Sequence, residues 1–275
     1  MAQLPFSVQH LRRLAQGAAG MVYQAEANYA PIAIKVRNNT GQDLRIEARM
    51  LQLLSDAGWP TPQIYFASSE LICMELIGND HQHRSIDEAN VAEMICHLHS
   101  HLQPSGRYGM SESNYLGFLN QANQWSPSWP DFFAKKRIEL RLSELPELPL
   151  ALRRQLNRVV DRIGDLIPSN PASSLIHGDL WSGNLLFRSG KLAGVIDPAP
   201  YYADREVELA FITMFHTFGN TFFDRYHQLQ PISNEFWGLR RYVYNLYPIL
   251  THCVLYPGQY ESQLEQALRQ ITAGW

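Results

Sequence analysis

The sequence predicts an α+β fold in two unequal lobes: a small N-terminal β-sheet lobe with one helix, and a larger, mainly helical C-terminal lobe. Three observations lead there. Short apolar runs bounded by turn residues fill residues 1–77, a single stretch of helical periodicity interrupts them, and helical periodicity dominates residues 78–275. A chain of 275 residues, 45% hydrophobic and 18% charged, has the composition of an ordinary globular protein and can bury a large core as one domain or two lobes.

In chain order, Leu11 to Leu14 and Met21 to Ala27 read as strands flanking Gln16-Gly17-Ala18-Ala19-Gly20, and Pro31 to Val36 as a third. Leu44, Met50, Leu51, Leu53 and Leu54 recur at helical spacing from about Gln42 to Ala57, and Gly58 ends the run. Ile64 to Ala67 and Leu71 to Leu76 complete the strands, and Gly78-Asn79-Asp80 is the expected linker. Beyond it, helices are predicted over Ile86 to His101, Pro130 to Glu144, Leu148 to Ile167, Glu206 to Phe218, Asn234 to Leu250 and Gly258 to Ile271. Leu185 to Phe187 and Leu192 to Ile196 form a hairpin through Ser189-Gly190, so His177 to Asn184 is a loop and Asp197 follows the second strand.

A net charge of −3 gives no reason to expect nucleic acid or an anionic membrane as partner. Lys135-Lys136-Arg137 reads as a solvated helix face. Cys73, Cys96 and Cys253 are far apart and form no CxxC pair, so they are expected to be reduced core thiols of a cytoplasmic protein. Met1 to His10 lacks an apolar signal core, and no apolar run approaches a membrane span.

The chemistry concentrates in His177-Gly178-Asp179-Leu180-Trp181-Ser182-Gly183-Asn184 and Val195-Ile196-Asp197-Pro198. One isolated carboxylate, an Asn five residues on and a second Asp after a hairpin suit ATP-dependent phosphotransfer on a protein-kinase-like scaffold. Asp179 would orient the acceptor hydroxyl and take its proton, while Asn184 and Asp197 would hold Mg²⁺. His177 is expected to brace the loop. In Ile32-Ala33-Ile34-Lys35, the lysine resembles the strand lysine that grips nucleotide phosphates, with Glu47 as its helix partner and Asp43, near the helix start, as the weaker candidate. Gly17 and Gly20 bracket a small-residue turn that lets backbone amides approach phosphates. Met74 would line an adenine pocket, and the backbones of Glu75 and Ile77 would hydrogen-bond the base. Asp204 reads as a cap of the next helix, Glu208 as a brace for the catalytic loop's backbone, and Trp181, Asp204 and Arg205 as candidates to face the acceptor.

These motifs, with Ile196-Asp197-Pro198-Ala199, Tyr202-Ala203-Asp204-Arg205-Glu206, Asn114-Tyr115-Leu116-Gly117, Trp125, Trp129, Phe132, Phe133 and Tyr244-Asn245-Leu246-Tyr247, resemble the fructosamine kinase (ketosamine-3-kinase) family, a branch of the aminoglycoside-phosphotransferase-like kinases. The resemblance implies ATP·Mg²⁺-dependent phosphorylation of the 3-hydroxyl of a ketosamine, a sugar adduct on an amine or a protein lysine. The phosphorylated adduct is unstable and releases its amine, which is a deglycation repair. Ribulosamine or erythrulosamine is the implied acceptor more than fructosamine. The chain departs from the family in two places. The nucleotide loop carries no Cys for a disulfide-linked dimer, so a monomer is favoured, and Glu208 stands where an Asp precedes Leu-Ala.

The residues alone leave other acceptors open, such as an aminoglycoside or choline; the sparse acids Asp204 and Glu206 fit a single amine better than a polycation. Pro198-Ala199 in place of Phe-Gly argues against a protein kinase. Retention of Lys35, Asp179, Asn184 and Asp197 argues against a non-catalytic nucleotide-binding protein.

Overall fold

Alternating side chains set the first layer. In the computed structural model, which describes residues 7–17, 20–28, 30–38, 42–80, 85–273 and 275, strands β1 (Val8–Gly17), β2 (Gly20–Ala27), β3 (Ala30–Arg37), β4 (Ile64–Ala67) and β5 (Leu71–Glu75) form one antiparallel sheet. Its order is β1-β2-β3-β5-β4. The period of two along β3 puts Ile32 and Ile34 on one face with Ala25 and Cys73, and Ala33 on the other against Leu44, Ala48 and Leu51. Those three belong to helix α1 (Leu44–Asp56), whose first turn is capped by Asp43.

The rest is mostly helical. It comprises α2 (Glu88–His99), the hairpin β6 (Asn114–Leu116) and β7 (Leu119–Gln121), α3 (Trp129–Phe133), α4 (Leu140–Ser143), α5 (Leu150–Asp161) and α6 (Ile163–Leu166). Next come β8 (Ser173–Ile176), β9 (Leu185–Arg188), β10 (Lys191–Val195) and β11 (Tyr201–Asp204), then α7 (Glu206–Met214), α8 (Asn220–Leu229), α9 (Arg241–Leu255) and α10 (Glu261–Thr272). One large core runs through this part and takes in Met50 and Leu54 from the inner side of α1. Phe187 donates its backbone N–H to Asn79 Oδ1 (3.1 Å) and accepts from Asp80 N (2.9 Å), which ties the hairpin β9–β10 to the segment after the sheet.

The expected strands and helices are present, with different limits. The helix expected to stop at Leu250 continues as α9 to Leu255 through Pro248, because its buried face extends to Thr251 and Cys253. The helix expected from Gly258 begins at Glu261. Helix α8 and the pairs β6–β7 and β8–β11 were not anticipated: α8 is short and mostly polar, and the strands are three or four residues long. Lys135-Lys136-Arg137 is not a solvated face throughout. A π-helical stretch, Ala134–Glu139, joins α3 to α4 and buries Arg137 completely, 4.0 Å above the Tyr201 ring and hydrogen-bonded to Ala122 O and Asn123 Oδ1. The three cysteines are free and buried. Among the described residues no helix is long and apolar enough to cross a membrane.

Candidate active site

Lys35 lies on the α1 face of β3, and Glu47 lies one turn into α1. Its Nζ is 2.8 and 2.7 Å from the two Glu47 carboxylate oxygens, with both side chains buried. The same ammonium reaches Asp197 Oδ1 at 2.8 Å. Burial favours neutral Lys35, but Asp197 and Glu47 outweigh it and hold the amine charged well above its ordinary pKa. Burial raises the pKa of Glu47, an effect that Lys35 offsets only in part. Asp43 is not a competing partner: its side chain accepts from Arg45 N and pairs with the Arg45 guanidinium.

The loop between β8 and β9 is fixed from beneath by Glu208 on α7. Glu208 Oε1 accepts from Gly178 N (2.8 Å), and Oε2 from His177 N (3.2 Å) and from the buried ring of His99 (3.0 Å). Burial raises a carboxyl's pKa, yet the donors around Glu208, led by His99, hold it below the ordinary value. The bracing role expected of Glu208 is therefore realised despite its extra methylene. His177 is fully buried, and its Nδ1 faces Asp179 N at 3.3 Å, in keeping with a structural role. Gly178 must be glycine. Its φ is +82°, and a Cβ would lie 2.1 Å from Ala199 O, whose residue donates its own N–H to His177 O at 2.9 Å. This contact joins the Asp179 loop to the segment after Asp197.

Asp179 projects from the loop, and Asn184 Nδ2 donates to both its carbonyl oxygen and Oδ2 at 2.9 Å. Burial, and next the charge of Asp197, raise the Asp179 pKa from 3.8 to about 7. Asp197 itself has φ +53°, a left-handed backbone that turns it back toward Lys35. Lys35, Glu47, Asp179, Asn184 and Asp197 all line one cavity of about 450 Å³. Gly17 lines its rim and pairs with Gly20 across the turn; Ala18 and Ala19 lie outside the described residues. Trp181 is 38% exposed and joins the wall. Gly183 makes room for its ring, since a Cβ there would lie 2.4 Å from it.

Other expected site residues lie elsewhere. Asp204 is buried, accepts from Tyr244 Oη (2.6 Å) and from Glu206 N (3.0 Å) at the start of α7, and does not line the cavity; the N-cap position itself is Arg205. Burial, then the charge of Glu206, raise its pKa to about 6. Arg205 turns away as well, to Tyr226 Oη (3.1 Å) and the carbonyls of Gln230 and Pro231. Glu206 pairs with Arg240 at 2.6 and 2.8 Å, so neither of the two acids expected near the acceptor is there. Asp204 ends β11 opposite Ser173 of β8, where Tyr244 of α9 covers its carboxylate. Met74 packs with Leu44 and Leu51 beneath the sheet, Glu75 N donates to Gln63 O (2.8 Å), and Ile77 lies against Gly194; none of these three lines the cavity.

Sequence reasoning missed Phe215, His252, Tyr256 and Tyr260, which line the cavity beside Trp181. Their signal was faint: His252, Tyr256 and Tyr260 recur every four residues, just beyond the point where the helix was expected to stop.

The fructosamine kinase family model matches residues 1–273. The chain belongs to the fructosamine kinase family. It is 37% identical over 172 residues to a "probable ketoamine kinase" of Synechocystis, a match that covers 60% of this chain and 56% of that protein. The chain thus spans little more than half the length of the first curated relatives it matches. A "probable ketoamine kinase" of Klebsiella aerogenes is 31% identical over 81% of this chain and 78% of its own length. Among solved structures, a Haemophilus somnus protein provisionally assigned as a fructosamine-3-kinase superposes with a TM-score of 0.84 at 25% identity, covering 97% of this chain and 92% of that one. The fold alone is shared with aminoglycoside phosphotransferase APH(4)-Ia, solved with ADP and hygromycin B (TM-score 0.67, 15% identity, 98% and 96% coverage).

Proposed function

We propose that this chain is an ATP·Mg²⁺-dependent kinase that phosphorylates the 3-hydroxyl of a ketosamine, with ribulosamine or erythrulosamine adducts on amines or protein lysines preferred over fructosamine. The observation that carries this reading is the convergence of Asp179, Lys35 and Asp197 on one cavity. Family membership and the names of the relatives support a sugar-amine acceptor.

Asp179 takes the proton of the acceptor hydroxyl. Its pKa of about 7 lets it do so near neutrality, and Asn184 fixes its orientation. Lys35, held by Glu47, grips the nucleotide phosphates as a fixed positive charge. Asn184 and Asp197 offer an amide and a carboxylate group, hard oxygen donors that fit Mg²⁺; the Asp197 side chain is 42% exposed and open to the cavity. Mg²⁺, when bound, neutralises charge on the phosphates. Gly17, at the cavity rim, brings its backbone to the phosphates, with Gly20 paired to it across the turn. Trp181 stacks on the sugar. Loss of the amine from the phosphorylated adduct would make the enzyme a deglycating repair kinase, and its buried thiols suit a reducing cytoplasm.

The test is ADP release from Mg·ATP with ribuloselysine, fructoselysine and an aminoglycoside in parallel, with Asp179→Ala as blank. Turnover on a ketosamine that vanishes in the variant is expected. Turnover on the aminoglycoside alone would keep the catalytic residues and discard the ketosamine.

A further inference from the structure

The cavity wall beyond Asp179 is a continuous run of rings. Trp181 sits 5.8 Å from Phe215, Phe215 5.5 Å from His252, and His252 4.7 Å from Tyr260 and 5.9 Å from Tyr256, measured between ring centroids. Three elements supply them: the catalytic loop, the end of α7 and the α9–α10 corner. All five residues line the cavity. Trp181 stands two residues from Asp179, so this wall flanks the reacting hydroxyl.

The charges around it are equally informative. Among the described lining residues only Glu47, Asp179 and Asp197 are acidic. Glu47 and Asp197 are tied to Lys35, and Asp179 is engaged by Asn184. No carboxylate that lines the cavity belongs to the aromatic side; Glu261, beside Tyr260, turns to Gly258 N (2.9 Å). His252 does not supply a repelling cation there. Its Nδ1 donates to Pro248 O at 2.7 Å, and burial lowers its pKa, which disfavours the charged ring. A cation entering this side meets π faces instead of counter-ions.

We propose that this aromatic wall is the subsite for the acceptor's protonated amine, and that it selects acceptors with a single secondary ammonium over neutral sugars and polycations. The proposal rests on the ketosamine reading above and adds what the wall recognises. A polycation would need further carboxylates that this side does not provide. A neutral ether of the same shape would fill the space without the charge attraction.

Titration calorimetry on the full chain with Mg·ADP tests this without turnover. The probes are 1-butylamino-1-deoxyribulose and its neutral isostere 1-O-butylribulose. The amine is expected to bind about tenfold more tightly. Tyr260→Leu should bring the two within about threefold by weakening the amine alone, and Tyr260→Phe should keep the preference. Tyr256→Leu, at an exposed position of the same wall, carries the same expectation as Tyr260→Leu should that variant fold poorly. Equal affinities in the native protein, binding of neither probe, or a preference that survives the leucine variants would overturn the proposal. ADP formation is read separately: tight amine binding without turnover would sink the kinase reading and leave the wall, and turnover without a preference for the cation would do the reverse.

Discussion

Lys35 Nζ lies 2.8 Å from Asp197 Oδ1 across 162 positions of chain, while the same ammonium holds Glu47 at 2.7 Å. One cation thus links the sheet, helix α1 and the segment after β10. Removing it leaves two carboxylates facing each other without a counter-charge. Lys35→Met should lower kcat about 10²–10³-fold and destabilise the fold by about 3 kcal/mol. Steady-state kinetics and urea unfolding check the two effects. Because the Lys35 pKa is raised from 10.5, its contribution to stability is fully present below that value and is lost only in strong alkali. The native stability curve should therefore carry no Lys35 step near neutrality.

Asp179 should impose a pH dependence on rate. With its pKa near 7 in the free enzyme, kcat/KM should rise with pH through that value and level off above it. Asp179→Asn should abolish turnover and leave nucleotide affinity within about threefold. Stability runs the other way. A carboxyl whose folded-state pKa is raised gives stability that is present below 3.8 and lost as pH rises through about 7. Asp179→Asn should therefore be more stable than the native chain at pH 8, by roughly 2 kcal/mol after allowance for water in the cavity, with the gap closing toward pH 4. Thermal melts at the two pH values decide it.

Asp197→Asn and Asn184→Ala should raise the Mg²⁺ concentration needed for half-maximal rate by at least about tenfold. Binding of metal-free nucleotide should change little. A metal titration of the rate that overlays the native curve would remove both residues from the metal site.

Glu208 accepts from two backbone amides and a buried imidazole. Glu208→Ala leaves all three unpaired and should cost about 3–5 kcal/mol, read by denaturant midpoint. Glu208→Asp should recover most of that loss, since the missing methylene is a matter of reach.

Arg205 holds Tyr226 and the carbonyls of Gln230 and Pro231. Arg205→Ala should lower stability by about 1–2 kcal/mol and leave the acceptor KM within about twofold. An acceptor KM that rises tenfold with unchanged stability would return Arg205 to the acceptor site.

Local sequence determined which candidate site residues stand together and in what order. Asp179, Asn184 and Asp197 are legible because their spacing is set by one loop and one hairpin, and Lys35 because the period of two along β3 chooses its face. Glu47 follows from the period of α1. Only the tertiary structure decided where Asp204, Arg205 and Arg137 point, because the β8–β11 pairing, the packing of α8 and the π-helical stretch after α3 lie outside the local pattern. It also assembled Trp181, Phe215, His252, Tyr256 and Tyr260 into one wall. The physical reason is sequence distance. Neighbouring residues share one helical or strand period, whereas a wall built from a loop and two helix ends exists only once the core has packed them together.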